Sequence, residues 1–187
     1  KYHASAPMDF YFRNGHFDEI HFIHEGAGVL HTQLGHLRFR TGDYLVIPRG
    51  VIYSLVFDGA EGRVFLIESS GLVAAPKRYR SPHGQLLEHS PFCERDIRVP
   101  ELEKPRDQEG DFLVRTRLKW GIQDHVLGSH PFDVVGWDGY HFPWALNISD
   151  FEPIVGSIHQ PPPVHQTFEA DGFVVCSFVS RPFDFHK

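Results

Sequence analysis

Short runs of apolar and β-branched residues, each ended by glycine or proline, fill the first third of the chain. Glu19-Ile-His-Phe-Ile-His24 gives way to Gly26-Ala-Gly28, and Val29-Leu-His-Thr-Gln33 is broken by Gly35 before Leu37-Arg-Phe39. Asp43-Tyr-Leu-Val-Ile47 follows Thr41-Gly42, and Pro48-Arg-Gly50 turns into Ile52-Tyr-Ser-Leu-Val-Phe57. Asp58-Gly59 then leads into Arg63-Val-Phe-Leu-Ile-Glu68. No run is long enough for a typical helix, and runs of this length between turn residues read as strands of a sandwich or barrel. Seventeen Phe, six Tyr and three Trp suit pleated, half-buried surfaces, while 17 Gly and 14 Pro supply the breaks. The expected fold class is all-β: a jelly roll or β-sandwich of antiparallel strands.

From residue 71 to 110 the pattern fades, punctuated by Pro76, Pro82, Pro91, Pro100 and Pro105. This segment is expected to be an irregular connector, functional or packed along the surface, with a charged and exposed stretch at Glu101–Glu109. Strands are expected again over Phe112–Trp120, Phe132–Trp137 and Gly172–Val179. There is no internal repeat. The reading is one domain over 1–187: barrel strands in 1–70, the connector in 71–110, further strands in 111–187. The lack of an initiator Met at Lys1 and the abrupt Arg181–Lys187 end read as a fragment of a longer protein.

Net charge is −6 with histidines neutral, and no basic stripe runs along the sequence, which argues against nucleic acid and anionic membrane as partners. No apolar run approaches the roughly 18 residues of a membrane span, so the chain reads as soluble. Cys93 and Cys176 stand 83 positions apart without a CxxC partner. Two lone cysteines fit a reducing compartment, hence a cytoplasmic location, with Cys176 as a small core residue and Cys93 in a polar loop.

Fourteen histidines are many for this length, and several invite a functional reading. His159 and His165 flank Gln160-Pro-Pro-Pro163. Three prolines donate no hydrogen bonds and favour a stiff polyproline-like segment, about 3.1 Å per residue, which would hold the two histidine backbones roughly 19 Å apart. That is a poor chelate but a plausible mount for a base; an ordinary surface loop with two solvated histidines is the competing reading. His16, His21 and His24 do not converge, because strand alternation puts Glu19 and His21 on one face and Ile20, Phe22 and His24 on the other. His31 and His36 flank a hairpin and could face each other, or be solvated edge histidines. Asp18 and Glu19 point to opposite faces and form no dyad. No G-x-S-x-G, P-loop or GxGxxG is present.

Gly42-x5-Pro48-x-Gly50-x2-Tyr53 resembles the second motif of cupins, with Tyr53 where the metal-binding members carry His. Glu19-x6-Gly26 resembles the later half of their first motif, and Phe12 and Asn14 stand where its two histidines would be. The turn residues are kept and the histidine ligands are not. A barrel needs the first set to turn its strands and the second only to hold a metal. The expectation is a cupin-like barrel with no metal ligands of its own, and no stoichiometric iron on this chain.

Longer segments are more specific. Phe10-Tyr-Phe-Arg-Asn-Gly15, Asp18–Gly26, Gly42–Gly50, Tyr79–Leu87 with Pro91–Asp96, Pro131–Trp137, Ile158–Pro163 and Ser180–Phe185 together resemble the homogentisate 1,2-dioxygenases, especially the bacterial ones. That resemblance implies cleavage of an aromatic ring with O2, homogentisate giving maleylacetoacetate in tyrosine and phenylalanine breakdown. It implies Fe(II) held by two His and one Glu lying beyond Lys187, and assembly into trimers paired as hexamers. It places His159 at the family's catalytic base, with His165 the other candidate for contact with substrate. The partners implied are a small aromatic substrate and O2. The alternatives are a non-catalytic cupin that serves for binding or assembly, and a related dioxygenase with a different aromatic substrate.

Overall fold

The computed structural model describes residues 1–59, 61–152 and 165–179. Thirteen strands make up the regular structure, with three short 3-10 turns and no α-helix among the described residues. In chain order the strands are β1 (Tyr2–Ala4), β2 (Tyr11–Asn14), β3 (Asp18–Glu25), β4 (Gly28–Thr32), β5 (Gly35–Phe39), β6 (Asp43–Ile47), β7 (Ile52–Phe57) and β8 (Gly62–Ser69). They continue with β9 (Glu109–Leu118), β10 (Gly121–Ser129), β11 (Trp144–Asn147), β12 (Gln166–Ala170) and β13 (Phe173–Cys176). One sheet runs β1-β8-β3-β6-β11, a second β10-β9-β2-β7-β4-β5, and β12-β13 is a separate hairpin. The two large sheets stack as the sandwich expected from the sequence. Among the described residues pairing is antiparallel except between β2 and β9, which run parallel. The long excursion between those two strands permits this, since parallel neighbours need an extended crossover.

Alternation along β3 sorts its side chains between two cores. Ile23 faces inward with Leu45, Ile47 and Val64 of its own sheet, and Leu30, Leu37, Phe39 and Leu55 of the other, to form the sandwich interior. Ile20, Tyr44, Val46 and Leu146 face outward, but not to water. Val73, Phe92, Phe151 and Phe168 cover them, and Phe22 packs against the same cluster half-buried. Around β6 the first sheet is therefore buried on both faces, which is why all five residues of β6 are buried, while Phe65 on β8 stays half exposed. Part of the covering layer comes from the 71–110 connector. That segment packs along the sheet rather than hanging free, while Leu102 at its far end is exposed. Tyr44 Oη, 3.0 Å from Ser177 Oγ, ties β6 to the end of the β12–β13 hairpin.

Three sequence expectations need correction. Phe132–Trp137 forms no strand. Phe132 is pinned by its backbone, donating to His130 Nδ1 and accepting from Arg106 N, while Val135 and Trp137 point to solvent. The last strand stops at Cys176 rather than Val179, and Cys176 is only half-buried. β10, the sheet's edge, was not expected at all. Its sequence is mostly polar and its Ile122 and Val126 are exposed, so burial leaves no alternation to read.

The glycine turns behave as expected. Gly42 and Gly50 have φ of +89° and +85°. A Cβ at Gly50 would meet nothing within 4 Å, so Gly50→Val should cost chiefly backbone strain, about 1–2 kcal/mol. Gly35 also has positive φ (+114°), but there a Cβ would lie 2.2 Å from the carbonyl oxygen of Glu101, whose backbone pairs with His36. Gly35→Ala should cost about 3 kcal/mol or more. Urea unfolding followed by circular dichroism ranks the two; equal losses would mean that the Glu101 backbone is not docked on this hairpin.

Candidate functional site

Where β3 and β7 face each other across the sandwich, a polar cluster replaces the apolar core. Glu19 and His21, two residues apart on β3, both point inward and are almost wholly buried, at 1% and 2% exposure. Tyr53 on β7 donates to Glu19 Oε2 at 2.7 Å. His21 Nε2 lies 3.1 Å from the same oxygen, and since a carboxylate only accepts, Nε2 carries the proton. Asn14 at the end of β2 donates from Nδ2 to Glu19 Oε1 at 3.0 Å and to Glu68 Oε1 at 2.8 Å. Tyr2 Oη lies 3.1 Å from His21 Nδ1, closing the cluster from the N-terminal strand.

This arrangement solves an electrostatic problem. An isolated carboxylate inside a protein would be neutralised or would unfold its surroundings. Burial pushes the Glu19 carboxyl upward. The His21 hydrogen bond and charge, with those from Asn14 and Tyr53, outweigh it and hold the group below its ordinary value. The two phenols move the other way: burial first, then the Glu19 charge, raises both Tyr53 and Tyr2. Glu19 therefore stays ionised and the tyrosines stay protonated through neutral pH.

A cavity of about 800 Å³ opens above this cluster, with Glu19, His21, Tyr53 and Tyr2 on its floor. Met8, Phe10, Phe12, Leu55, Phe57 and Leu66 supply apolar wall, and Glu68 and Arg117 line one side. Arg117 Nε sits 3.3 Å from Glu68 Oε1 and so leaves no free cation there.

The homogentisate 1,2-dioxygenase N-terminal family matches residues 1–148. The chain belongs to this family. A Saccharolobus solfataricus protein named as a dioxygenase is 45% identical over 176 residues, which is 94% of this chain and 45% of that protein. A Bradyrhizobium diazoefficiens homogentisate 1,2-dioxygenase is 25% identical over 166 residues, 86% of this chain and 35% of that protein. The chain thus spans less than half the length of these two relatives.

For a homogentisate dioxygenase family member the first question is iron, and the barrel does not fit it. Of the three cupin histidine places, Phe12 has no donor atom, Asn14 gives its amide nitrogen to Glu19 and Glu68, and Tyr53 gives its proton to Glu19. Glu19, the one ligand-type residue kept, already takes three donors, from Asn14, His21 and Tyr53. Among the described residues no group of three or more His, Cys, Asp and Glu could hold a metal ion.

The histidines singled out in the sequence scatter. His24 is exposed, and His16 packs edge-on against Trp120 with ring centroids 5.3 Å apart. His31 and His36 do face each other across the β4–β5 hairpin, at 6.4 Å between rings. His165 sits beside β12, its Nδ1 3.0 Å from Ser177 O and its ring against Phe178. His159, with the three prolines and Ser180–Phe185, lies outside the described residues. The alternation rule correctly put Glu19 and His21 on one face. Tyr53 was visible as a ligand replacement but not as the partner of Glu19, and Tyr2 was missed, because no local signal pairs residue 2 with residue 21. No helix among the described residues is long and apolar enough to cross a membrane.

Tyr53→Phe leaves the shape and removes a charge-assisted donor, so it should cost about 1.5–3 kcal/mol in urea unfolding at pH 7. Because the Glu19 pKa is depressed on folding, its contribution is fully present above the ordinary glutamate value of 4.5 and is lost as pH falls through the lowered folded value. Stability of the wild type should therefore fall with acid below that point more steeply than in Glu19→Gln. Parallel pH profiles would mean that Glu19 is not the ionised centre of the cluster.

Proposed function

We propose that this chain is the N-terminal β-sandwich of an aromatic ring-cleaving dioxygenase, with homogentisate and O2 as its substrates and maleylacetoacetate as product. The observation that carries this reading is the family match over residues 1–148, reinforced by two relatives with dioxygenase names. In this reading the Fe(II) belongs to a two-His, one-Glu set beyond Lys187, and the sandwich is a rigid support for it. The protein works in the cytoplasm, as a trimer or hexamer.

The geometry suits a supporting role. The interior that a metal-binding cupin would give to its ion is filled here by the Glu19–Tyr53–His21–Asn14 cluster, which locks β2, β3 and β7 together. Fe(II) chemistry supplies ring activation when the metal is bound elsewhere in the protein. What this chain adds is a proton acceptor: His159, on the shoulder of the Pro-Pro-Pro segment, takes the proton of a ring hydroxyl. A neutral imidazole with an ordinary pKa near 6.5 suits that transfer at neutral pH. His165 is the lesser candidate, since one ring nitrogen is already within hydrogen-bond reach of Ser177 O. The closed cluster at Glu19 also supports a second reading, a binding or assembly domain without chemistry of its own, and turnover separates the two.

In the full-length protein, His159→Ala should lower homogentisate turnover by about 10²- to 10⁴-fold with iron content unchanged, and His165→Ala should do less. Full activity in His159→Ala removes the proposed base, and no turnover of homogentisate by the wild type removes the reading itself. The 187-residue chain alone, reconstituted with Fe(II) without oxygen, should retain no stoichiometric iron by metal analysis. One iron per chain would place ligands within it.

A further inference from the structure

The cavity above the Glu19 cluster has no part in the chemistry proposed above, yet it has the attributes of a ligand site. Its volume of about 800 Å³ falls in the range that encloses drug-sized molecules, roughly 300–1,000 Å³. Its walls are largely apolar, from Met8, Phe10, Phe12, Leu55, Phe57 and Leu66. Water has few partners along such walls, and an empty apolar hollow forfeits dispersion contacts that an occupant restores.

The floor says what the occupant must carry. The Tyr53 proton goes to Glu19, as does the proton on His21 Nε2, and Asn14 divides its amide between two carboxylates. The buried donors are turned onto Glu19 and Glu68, so what remains toward the cavity is acceptor capacity: the lone pairs of the Tyr53 and Tyr2 oxygens and of the carboxylates. Glu68 neutralises Arg117 at the side wall. His3, also on the lining, is held 3.3 Å from Glu61 Oε2 through its Nε2, so a carboxylate or sulfonate entering here would meet two carboxylates and no unpaired cation. A hydroxyl or amine N–H would meet partners.

We propose that this cavity is a binding site for an apolar organic molecule of drug-like size that ends in a hydroxyl or amine donor and carries no anionic group. An occupant of this kind differs from homogentisate, whose carboxylate the floor repels, so the site is separate from ring cleavage. The donor end lies against Tyr53 and Tyr2, and the apolar body fills the space between Phe10, Phe12, Leu55 and Leu66.

Two fluorophores that differ by one sulfonate test this. N-phenyl-1-naphthylamine is neutral with one N–H donor, and 8-anilinonaphthalene-1-sulfonate is the same skeleton with an anion. Titrated into the 187-residue chain and into the full-length protein, the neutral probe should saturate at one per chain and the sulfonate should bind at least about tenfold more weakly. Leu66→Trp, which fills the cavity, should weaken the neutral probe at least about tenfold with the circular dichroism spectrum unchanged. Should Leu66→Trp not fold, Val56→Trp decides, because Val56 lines the same cavity and is 44% exposed. The proposal fails if the neutral probe does not bind, if the sulfonate binds equally well, or if the folded Trp variant binds as the wild type does. It fails too if binding is lost in the full-length protein, since another segment would then fill the cavity. None of these readouts uses turnover, so they stand apart from the fate of the dioxygenase reading.

Discussion

A single buried carboxylate sets the terms for the inside of this sandwich. Glu19 is 1% exposed and ionised, and that combination holds only while its donors stay in place. Those donors come from different parts of the chain: Asn14 from β2, His21 from β3 and Tyr53 from β7. β2 and β7 belong to one sheet and β3 to the other, so satisfying Glu19 fixes the distance and register between the sheets. Tyr2 extends the same bond chain into β1. A metal in this position would cross-link the strands in the same way; here hydrogen bonds do so with side chains the sequence already supplies.

Much of this was legible in the sequence, and what was not has physical reasons. The six turn-bounded runs of the first third map onto β3 to β8, because alternation and glycine placement are local signals. The pairing of Glu19 with His21 follows from the two-residue period alone. The partners across the sheet do not, since Tyr2 and Tyr53 reach the cluster through strand pairings that no local pattern encodes. Trp144–Asn147, buried on both faces, shows no alternation. Gln123, Asp124 and Ser129 on β10 are polar and exposed, so that strand looked like a loop. Phe132–Trp137 erred in the other direction: its aromatic and β-branched residues looked like a strand, yet Phe132 joins the Tyr11–His130 rings while Val135 faces solvent.

The family membership and the barrel's interior pull on the function in different ways. The sequence match ties the chain to dioxygenases, while the residues at the cupin ligand places are committed to one another. Both hold if the sandwich is a support whose interior is tied by hydrogen bonds, with the cavity beside them. Such a support leaves Glu19 free to serve stability and leaves the adjoining hollow free for a different occupant.

The double burial at the centre of the first sheet has a consequence for how the chain acquires its structure. Strands β3, β6 and β8 come from the first 70 residues, yet the cover over Ile20, Tyr44 and Val46 includes Val73, Phe92, Phe151 and Phe168. Until those later residues arrive, the early sheet presents an apolar face to water. Contacts between residues 44 and 168 or 44 and 177 also close very long loops, which slows the search for the native arrangement. The β12–β13 hairpin is thus the natural last piece to dock. A chain cut or stalled before residue 168 would leave a sticky, half-covered sheet of the kind that chaperones bind and that aggregates when they do not.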